Sequence, residues 1–110
     1  MSVDAGAARK VLALVGLGVR AKTVVVGVAQ VRAAAERGRL ALALVAPDAS
    51  RHSRDKVLPL LTARRIDCIE GLSAIELGEA VGKETTAAIG IIDSALANGI
   101  REAARAAMKS

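Results

Sequence analysis

The stretch LVGLGVRAKTVVVGVAQVRAAAERG, residues 14–38, contains in order the end of a helix, a short strand and a second helix. Positions 22–26 are dominated by β-branched residues, which predict the strand. Residues 28–37 are rich in helix-favouring alanine, and Gly38 can end this helix as its C′ residue. Gly27 permits a tight turn between strand and helix and leaves the first N–H groups of the helix free to face an anion. This strand–turn–helix unit is the centre of the predicted fold.

Outside this unit, apolar periodicity and turn residues predict further strands and helices in alternation. Pro59 would kink the third helix or mark its restart, and an interruption is expected near Asn98-Gly99 in the last helix. The alternation predicts an α/β protein, a three-layer α/β/α sandwich around a mixed sheet of about four strands. Residues 1–7 are expected to be disordered or a cloning remnant, and residues 8–110 to form a single domain. The predicted helices are 8–20, 28–37, 50–65, 73–81 and 94–108, and the predicted strands are 22–26, 40–46, 66–70 and 87–92.

Composition limits the possible functions. The 110 residues are 53% apolar and include no Phe, Tyr or Trp, so the chain can bury one aliphatic core but cannot stack bases on aromatic rings. Any recognition of RNA must use hydrogen bonds, charge and backbone shape. Cys68 is the only cysteine and His52 the only histidine, so we expect no internal disulfide, no metal and no cofactor. Neither a secretory signal nor a membrane-spanning segment is predicted.

The net charge of +5 is unevenly distributed along the chain. Residues 9–65 contain twelve Lys or Arg against three acids, whereas residues 66–110 contain four basic residues against seven acids. This asymmetry indicates one positive face suited to phosphates. The alternative is that the charges serve only solubility.

An apparent dinucleotide-binding motif lies in the first predicted helix. Residues 16–21 match G-x-G-x-x-A after an apolar run, and such glycines allow a backbone to approach a pyrophosphate. The residues that follow are strand-like where a dinucleotide-binding fold needs a long helix, and Glu36 lies within a helix rather than at a strand end. We therefore reject the motif. No catalytic triad is predicted either, because Ser50, His52 and Asp55 share one helix turn.

Four sequence blocks resemble the L-seven-Ae family of ribosomal and ribosome-associated RNA-binding proteins, in particular its bacterial YlxQ-like members. The first is L-x-G-L-x-x-R-A at 14–21, and the second is a helix that starts at Gly27 and ends at Gly38. The third is A-x-D-A-S at 46–50, and the fourth is L-G-x-A-x-G at 77–82, before a short loop and an Ala-rich strand. The resemblance implies the L-seven-Ae fold and a non-enzymatic domain over 8–110 that binds kinked RNA helices.

The resemblance also implies where RNA is contacted. In kink-turn-binding relatives the helix after the first glycine reads N-E-x-x-K, with an Arg four residues beyond the Lys. Those positions hold Ala29, Gln30, Ala33 and Arg37 in this chain. The two alanines offer no side-chain hydrogen bonds, so the kink-turn motif is degenerate. A second contact surface is the loop of 83–88, with its backbone amides and threonine hydroxyls. The predicted RNA-binding residues are Gly27, Gln30, Arg32, Arg37, Lys22, Lys83, Glu84, Thr85 and Thr86, with Arg39 as a further phosphate contact.

We expect Gly27, Gln30, Arg37 and the loop of 83–88 to lie together on one face, because parallel pairing would bring strand-to-helix turns to one end of the sheet. The leading hypothesis is a cytoplasmic, monomeric, ribosome-associated protein that binds structured RNA, ribosomal RNA included, with no DNA or membrane partner. The alternative is a protein-interaction or scaffold module of the same fold that no longer recognises RNA. Ala29 and Ala33 favour this alternative. A nucleotide-binding enzyme would rest on the rejected glycine motif alone.

Overall fold

The computed structural model describes residues 5–106, along which five helices alternate with four strands. The helices are α1 (Ala5–Arg20), α2 (Val28–Glu36), α3 (Arg51–Ala63), α4 (Ala74–Val81) and α5 (Ser94–Ala106). The strands are β1 (Val24–Val26), β2 (Leu42–Val45), β3 (Cys68–Ile69) and β4 (Ala88–Ile91). Within this part of the chain, no helix combines the length and the apolar character needed to cross a membrane.

The four strands form one mixed sheet in the order β1-β4-β2-β3. Strand β4 is antiparallel to both β1 and β2, whereas β2 and β3 are parallel. Because β1 and β2 both run against β4, the three strands β1, β2 and β3 point in the same direction. The predicted mixed sheet of four strands is confirmed.

The two central strands, β2 and β4, are buried on both faces and separate two cores. Leu42 and Leu44 belong to the core beneath α1, α4 and α5, while Ala43 and Val45 belong to the core beneath α2 and α3. The alternation follows from the two-residue period of a strand, which sends successive side chains to opposite faces. Helices thus cover both faces of the sheet, which confirms the predicted three-layer α/β/α sandwich.

Side-chain caps begin α3 and α4. The Ser50 hydroxyl starts α3 by accepting the N–H of the residue three positions on, at 3.1 Å. Ser73 starts α4 in a reciprocal capping box with Glu76. Asp48 joins the two helix starts, because its Oδ1 accepts the Ala74 N–H at 2.9 Å. The A-x-D-A-S block therefore links the turn after β2 to the beginning of α4.

Helices α1 and α5 differ from the predicted boundaries. Helix α1 begins at Ala5, within the segment expected to be disordered, and Ala7 is already buried, with 5% of its surface exposed. Helix α5 continues through Asn98 and Gly99, where an interruption is predicted. Its apolar face packs on α1, and this tertiary packing outweighs the roughly 1 kcal/mol that glycine costs inside a helix. Residues 1–4 and the predicted helix end at 108 lie outside the described residues.

Pro59 lies inside helix α3 without dividing it. A proline removes one backbone donor, but Val57 and Leu61 on either side of it are buried in the core beneath α2 and α3. Their burial holds both halves of the helix on the sheet. The structure therefore has one continuous helix here rather than a restart.

A close approach holds the end of α1 against β1 and α5. A Cβ atom on Gly18 would lie 2.6 Å from Val24 Cγ2 and would also collide with Leu96 Cδ2. Gly16, two residues earlier in the same helix, has only the Ala80 carbonyl oxygen within reach of such a Cβ, at 3.8 Å. Of these two glycines, close packing requires only Gly18.

We predict opposite effects of alanine at these two positions. Gly18→Ala should lower the free energy of unfolding by about 1–3 kcal/mol, because it overpacks the contact with β1 and α5. Gly16→Ala should raise it by up to about 1 kcal/mol, because alanine favours the helix and meets only ordinary contacts. Urea denaturation followed by circular dichroism measures both. Equal stability of the two variants would contradict the close approach at Gly18.

Candidate functional site

The turn at Gly27 and the loop that precedes β4 meet at one end of the sheet. The Gly27 N–H donates to the Ala88 carbonyl oxygen at 2.9 Å, and Val26 pairs with Ile89. The pairing of β1 with β4 is antiparallel, so the end of β1 lies beside the start of β4. The two segments lie together as expected, but parallel pairing, the reason inferred from the sequence, is wrong.

Helix α2 begins with N–H groups that no side chain caps. Gly27 precedes it with φ 95° and ψ 156°, a conformation that residues with a Cβ rarely adopt. The first N–H groups of a helix have no acceptor within the helix itself. Ala29 and Gln30 are exposed beside them. This helix start can therefore receive an anionic group such as a phosphate oxygen.

An exposed loop follows helix α4. The helix ends at Gly82 in the left-handed conformation, and the Lys83 N–H then donates to the Gly78 carbonyl oxygen at 2.8 Å. A Cβ atom on Gly78 would lie 2.8 Å from the Glu84 carbonyl group, so the loop rests directly on the helix. Lys83, Glu84 and Thr85 are exposed. The loop thus presents a cation, a carboxylate and a hydroxyl near the start of α2.

Thr86 faces the protein interior. It is 5% exposed, and its hydroxyl has no hydrogen-bond partner among the described residues. Its N–H donates to the Ala74 carbonyl oxygen at 3.0 Å, which holds the end of the loop against the start of α4. The prediction that the Thr86 hydroxyl is offered to RNA is therefore wrong, because this backbone contact turns the residue inward.

Arg32 connects helices α2 and α3. Its Nη1 donates to the Lys56 carbonyl oxygen, and its Nη2 lies 3.7 Å from Glu36 Oε1. The side chain remains 41% exposed, so the guanidinium is only partly available to a ligand. Arg32 crosses an open groove of about 970 Å³ between the two helices. The groove is lined by Val28, Ala29, Arg32, Ala33, Glu36, Arg37, Asp55 and Lys56.

Sequence reasoning did not find the α3 side of this groove. Lys56 and Asp55 belong to no motif, and only the packing of α3 beside α2 brings them to the groove. The Asp55 carboxylate lies 3.8 Å from Arg51 Nε, and Glu36 faces Arg32. Both acids of the groove thus have cationic partners.

Arg37 and Lys22 lie far from Gly27. Arg37 is the C-cap of α2, about 15 Å from Gly27 along the helix axis. Lys22 precedes β1, roughly 16 Å from Gly27 in an extended chain, and Arg39 precedes β2 at the same end of the sheet. Arg37 and Lys22 are therefore too far from Gly27 to join the contacts of its turn, and whether all of these residues share one RNA-binding face stays a prediction. The physical reason for the distance is that β1 and α2 each carry the chain away from Gly27.

A family model matches residues 9–101, and its description is the ribosomal protein L7Ae/L30e/S12e/Gadd45 family. The chain belongs to this family. Comparison with curated protein sequences finds no significant match.

Solved structures share the fold of this L7Ae/L30e/S12e/Gadd45 family member. A protein with unknown function from Bacillus halodurans C is 28% identical, with a TM-score of 0.80 over 87% of this chain and 97% of that chain. The Giardia lamblia 15.5kD RNA binding protein is 20% identical, with a TM-score of 0.77 over 98% of this chain and 92% of that chain. At the latter identity the likeness establishes the fold alone.

In this family member, the residues at the positions of the kink-turn motif lie on two sides of α2. Ala29, Ala33 and Arg37 are four residues apart and line the groove. Gln30 is exposed at the helix start, next to Gly27. The Gln30 amide therefore lies outside the groove that Ala29 and Ala33 line, although all three residues belong to one sequence motif.

No metal site or reactive thiol accompanies this surface within residues 5–106. These residues contain no cluster of His, Cys, Asp and Glu that could hold a metal ion. Burial raises the pKa of the Cys68 thiol from 9.0 to about 11, and the Glu70 carboxylate contributes to the rise. A thiol that stays protonated is a weak nucleophile and a weak metal ligand.

We predict that Thr86→Val stabilises the protein by about 1 kcal/mol, because the methyl group replaces a buried hydroxyl that has no partner. The matched control is Thr85→Val in the exposed part of the loop, which should change stability by less than about 0.5 kcal/mol. Urea denaturation measures both variants. A loss of stability in Thr86→Val would mean that the hydroxyl is hydrogen-bonded.

We predict slow alkylation of Cys68 by iodoacetamide. At pH 8 a thiol of pKa about 11 has roughly a hundredfold less thiolate than one of pKa 9.0, and the thiolate is the reactive form. Because the folded-state pKa is the higher one, the free energy of unfolding should also fall as pH rises from 9 towards 11. Mass spectrometry compares the folded protein with the protein in denaturant. Equal rates in the two states would contradict the shift.

Proposed function

We propose that this protein binds structured RNA, as a ribosome-associated protein without enzymatic activity. The observation that carries the proposal is the start of α2, where uncapped N–H groups after Gly27 lie beside the exposed loop of Lys83, Glu84 and Thr85. The L7Ae/L30e/S12e/Gadd45 family and the likeness to an RNA-binding protein of Giardia lamblia support the choice of ligand. Structured RNA, ribosomal RNA included, is the proposed partner, rather than DNA or a membrane.

Phosphate oxygens suit this helix start. The free N–H groups and about half a positive charge at the helix N-terminus both attract an anion. Lys83 adds a full charge from the loop, and the Gln30 amide can donate or accept a hydrogen bond. Because these groups recognise the RNA backbone more than base edges, binding should depend strongly on salt concentration.

The kink-turn mode of the family is weakened in this chain. A polar contact to a base is worth roughly 1–3 kcal/mol, and Ala29 and Ala33 cannot make the contacts that Asn and Lys would make. Two missing contacts correspond to a loss of at least about tenfold in affinity. The protein therefore selects RNA by backbone shape more than by sheared base pairs.

The remaining parts of the proposal concern where and how the protein acts. It acts in the cytoplasm as a monomer and needs no cofactor. The lack of aromatic residues argues against single-stranded RNA as the ligand, because single-strand binders stack bases on aromatic rings. A structured RNA presents its phosphates in a defined arrangement, which amide and cationic groups can recognise without stacking.

A second candidate function is a protein-interaction or scaffold role on the same fold. The observation that favours it is the open groove of about 970 Å³ between α2 and α3, which Ala29 and Ala33 help to line. Small side chains leave room there for the side chains of a partner protein. Measurements with RNA separate the two candidates.

We predict that the unaltered protein binds a plain RNA duplex and a kink-turn RNA with similar affinity. Ala29→Asn with Ala33→Lys should raise affinity for the kink-turn by about tenfold or more, because it restores two base-reading groups. The matched control is Ala13→Lys, which adds the same charge at an exposed position in the middle of α1. It should raise affinity for both RNAs slightly and equally.

Calorimetry at two salt concentrations also tests whether the loop after α4 binds RNA. Lys83→Gln should weaken binding of both RNAs and reduce the salt dependence by about one phosphate contact, whereas Arg105→Gln, exposed on α5, should not. Tight, kink-turn-selective binding by the unaltered protein would overturn the backbone mode. No binding to either RNA at low salt would favour the scaffold role.

A further inference from the structure

Exposed basic residues precede three strands at the end of the sheet opposite Gly27. Strands β1, β2 and β3 point in the same direction, so the chain enters all three at one end of the sheet. A pair of cations lies shortly before each of these strands in the sequence. We name this surface the basic end. Its six members, all exposed, are Arg20, Lys22, Arg37, Arg39, Arg64 and Arg65.

The charges of the basic end are not neutralised by ion pairs. None of its six members forms an ion pair with another residue in the range 5–106. The acids at the same end have other partners. Glu36 lies 3.7 Å from Arg32, and Asp67 Oδ2 accepts a hydrogen bond from Arg101 Nε at 3.1 Å. Asp93 Oδ2 accepts a backbone N–H at the start of α5, at 2.7 Å.

Helix dipoles explain only part of this concentration of charge. Helices α1, α2 and α3 all end here, and a helix C-terminus carries about half a negative charge that attracts cations. Together with Asp93, these three helix ends offset fewer than three of the six positive charges. The basic end therefore keeps a positive potential.

Two of the six cations occupy backbone positions that favour glycine. Lys22 has φ 62° and Arg65 has φ 57°, where a residue with a Cβ is disfavoured. After α2 the corresponding left-handed position is held by glycine, at Gly38 with φ 69°. Two turns at this end thus carry a long cationic side chain where a glycine would fit the backbone more easily.

We infer that the basic end is a second RNA-binding surface, which contacts the phosphate backbone of an RNA duplex away from the ligand at Gly27. The choice of RNA rests on the proposed function. The charged groups of lysine and arginine bind phosphates, and the chain has no aromatic residue that could stack on a base. The extended segment from Lys22 to Gly27 separates the two surfaces by roughly 16 Å, about twice the screening length at physiological salt. Each surface therefore attracts phosphates independently, and the protein can bridge two helical segments of RNA.

Charge-matched variants test this inference. The first carries Arg20→Gln, Arg39→Gln and Arg64→Gln at the basic end. The second carries three substitutions at exposed residues that belong to neither surface, and it removes the same charge. It contains Arg9→Gln, Lys10→Gln and Arg105→Gln.

Binding of an RNA duplex of about two helical turns is measured over a range of salt concentrations. The basic-end variant should bind at least about tenfold more weakly, and its slope of log affinity against log salt should fall by about two. The control variant should stay within about threefold of the unaltered protein. Equal losses in the two variants would overturn the inference, because they would reflect net charge alone.

Amide NMR signals separate failure of this inference from failure of the proposed function. When the duplex is added to isotope-labelled protein, we expect shifts at Lys22, Gly38 and Arg65 as well as at Gly27 and Lys83. Shifts at Gly27 and Lys83 only would overturn the second surface and leave the proposed function standing. Shifts at neither set would overturn both.

Discussion

Strand β4 runs antiparallel to both of its neighbours, and the placement of every candidate RNA contact depends on this pairing. Because β1 and β2 both oppose β4, they run in the same direction as each other and as β3. The turns that start α2 and α3 therefore lie at one end of the sheet, and the C-termini of α1, α2 and α3 lie at the other. The hydrogen bond from the Gly27 N–H to the Ala88 carbonyl oxygen joins the first of these ends to the loop before β4.

The two ends of the sheet offer different chemistry to an anion. At the Gly27 end, backbone N–H groups dominate, and Lys83 adds one exposed cation from the loop. Recognition there depends on the geometry of the anion, since amide groups must point at its oxygens. At the basic end, the attraction comes from full charges, so it is stronger at a distance and more sensitive to salt. One end is suited to selecting an RNA shape and the other to holding a phosphate backbone.

A core without aromatic rings positions these surfaces through close approaches of its elements. The loop of Lys83 and Glu84 rests on α4 because Gly78 has no side chain, and the end of α1 reaches β1 because Gly18 has none. Within the sheet, a Cβ atom on Gly90 would lie 2.8 Å from Val25 Cγ2. Such contacts leave little freedom for relative movement, and a preorganised surface loses less entropy when it binds a ligand.

The sequence by itself determined the helices, the strands and their layers, because apolar periodicity and turn residues act over short distances. Within the run of 40–46, Leu42–Val45 form a buried central strand, and Gly27 is the N-cap of α2, as the residues predict. Tertiary structure decided the direction of β4, since strand pairing depends on hydrogen bonds between residues far apart in the chain. It also buried the Thr86 hydroxyl, which composition alone would leave at the surface. Arg37 and Ala33 are four residues apart and line the same groove, but only the course of β1 and α2 through the sandwich carries Arg37 to the end of the sheet where Lys22 lies.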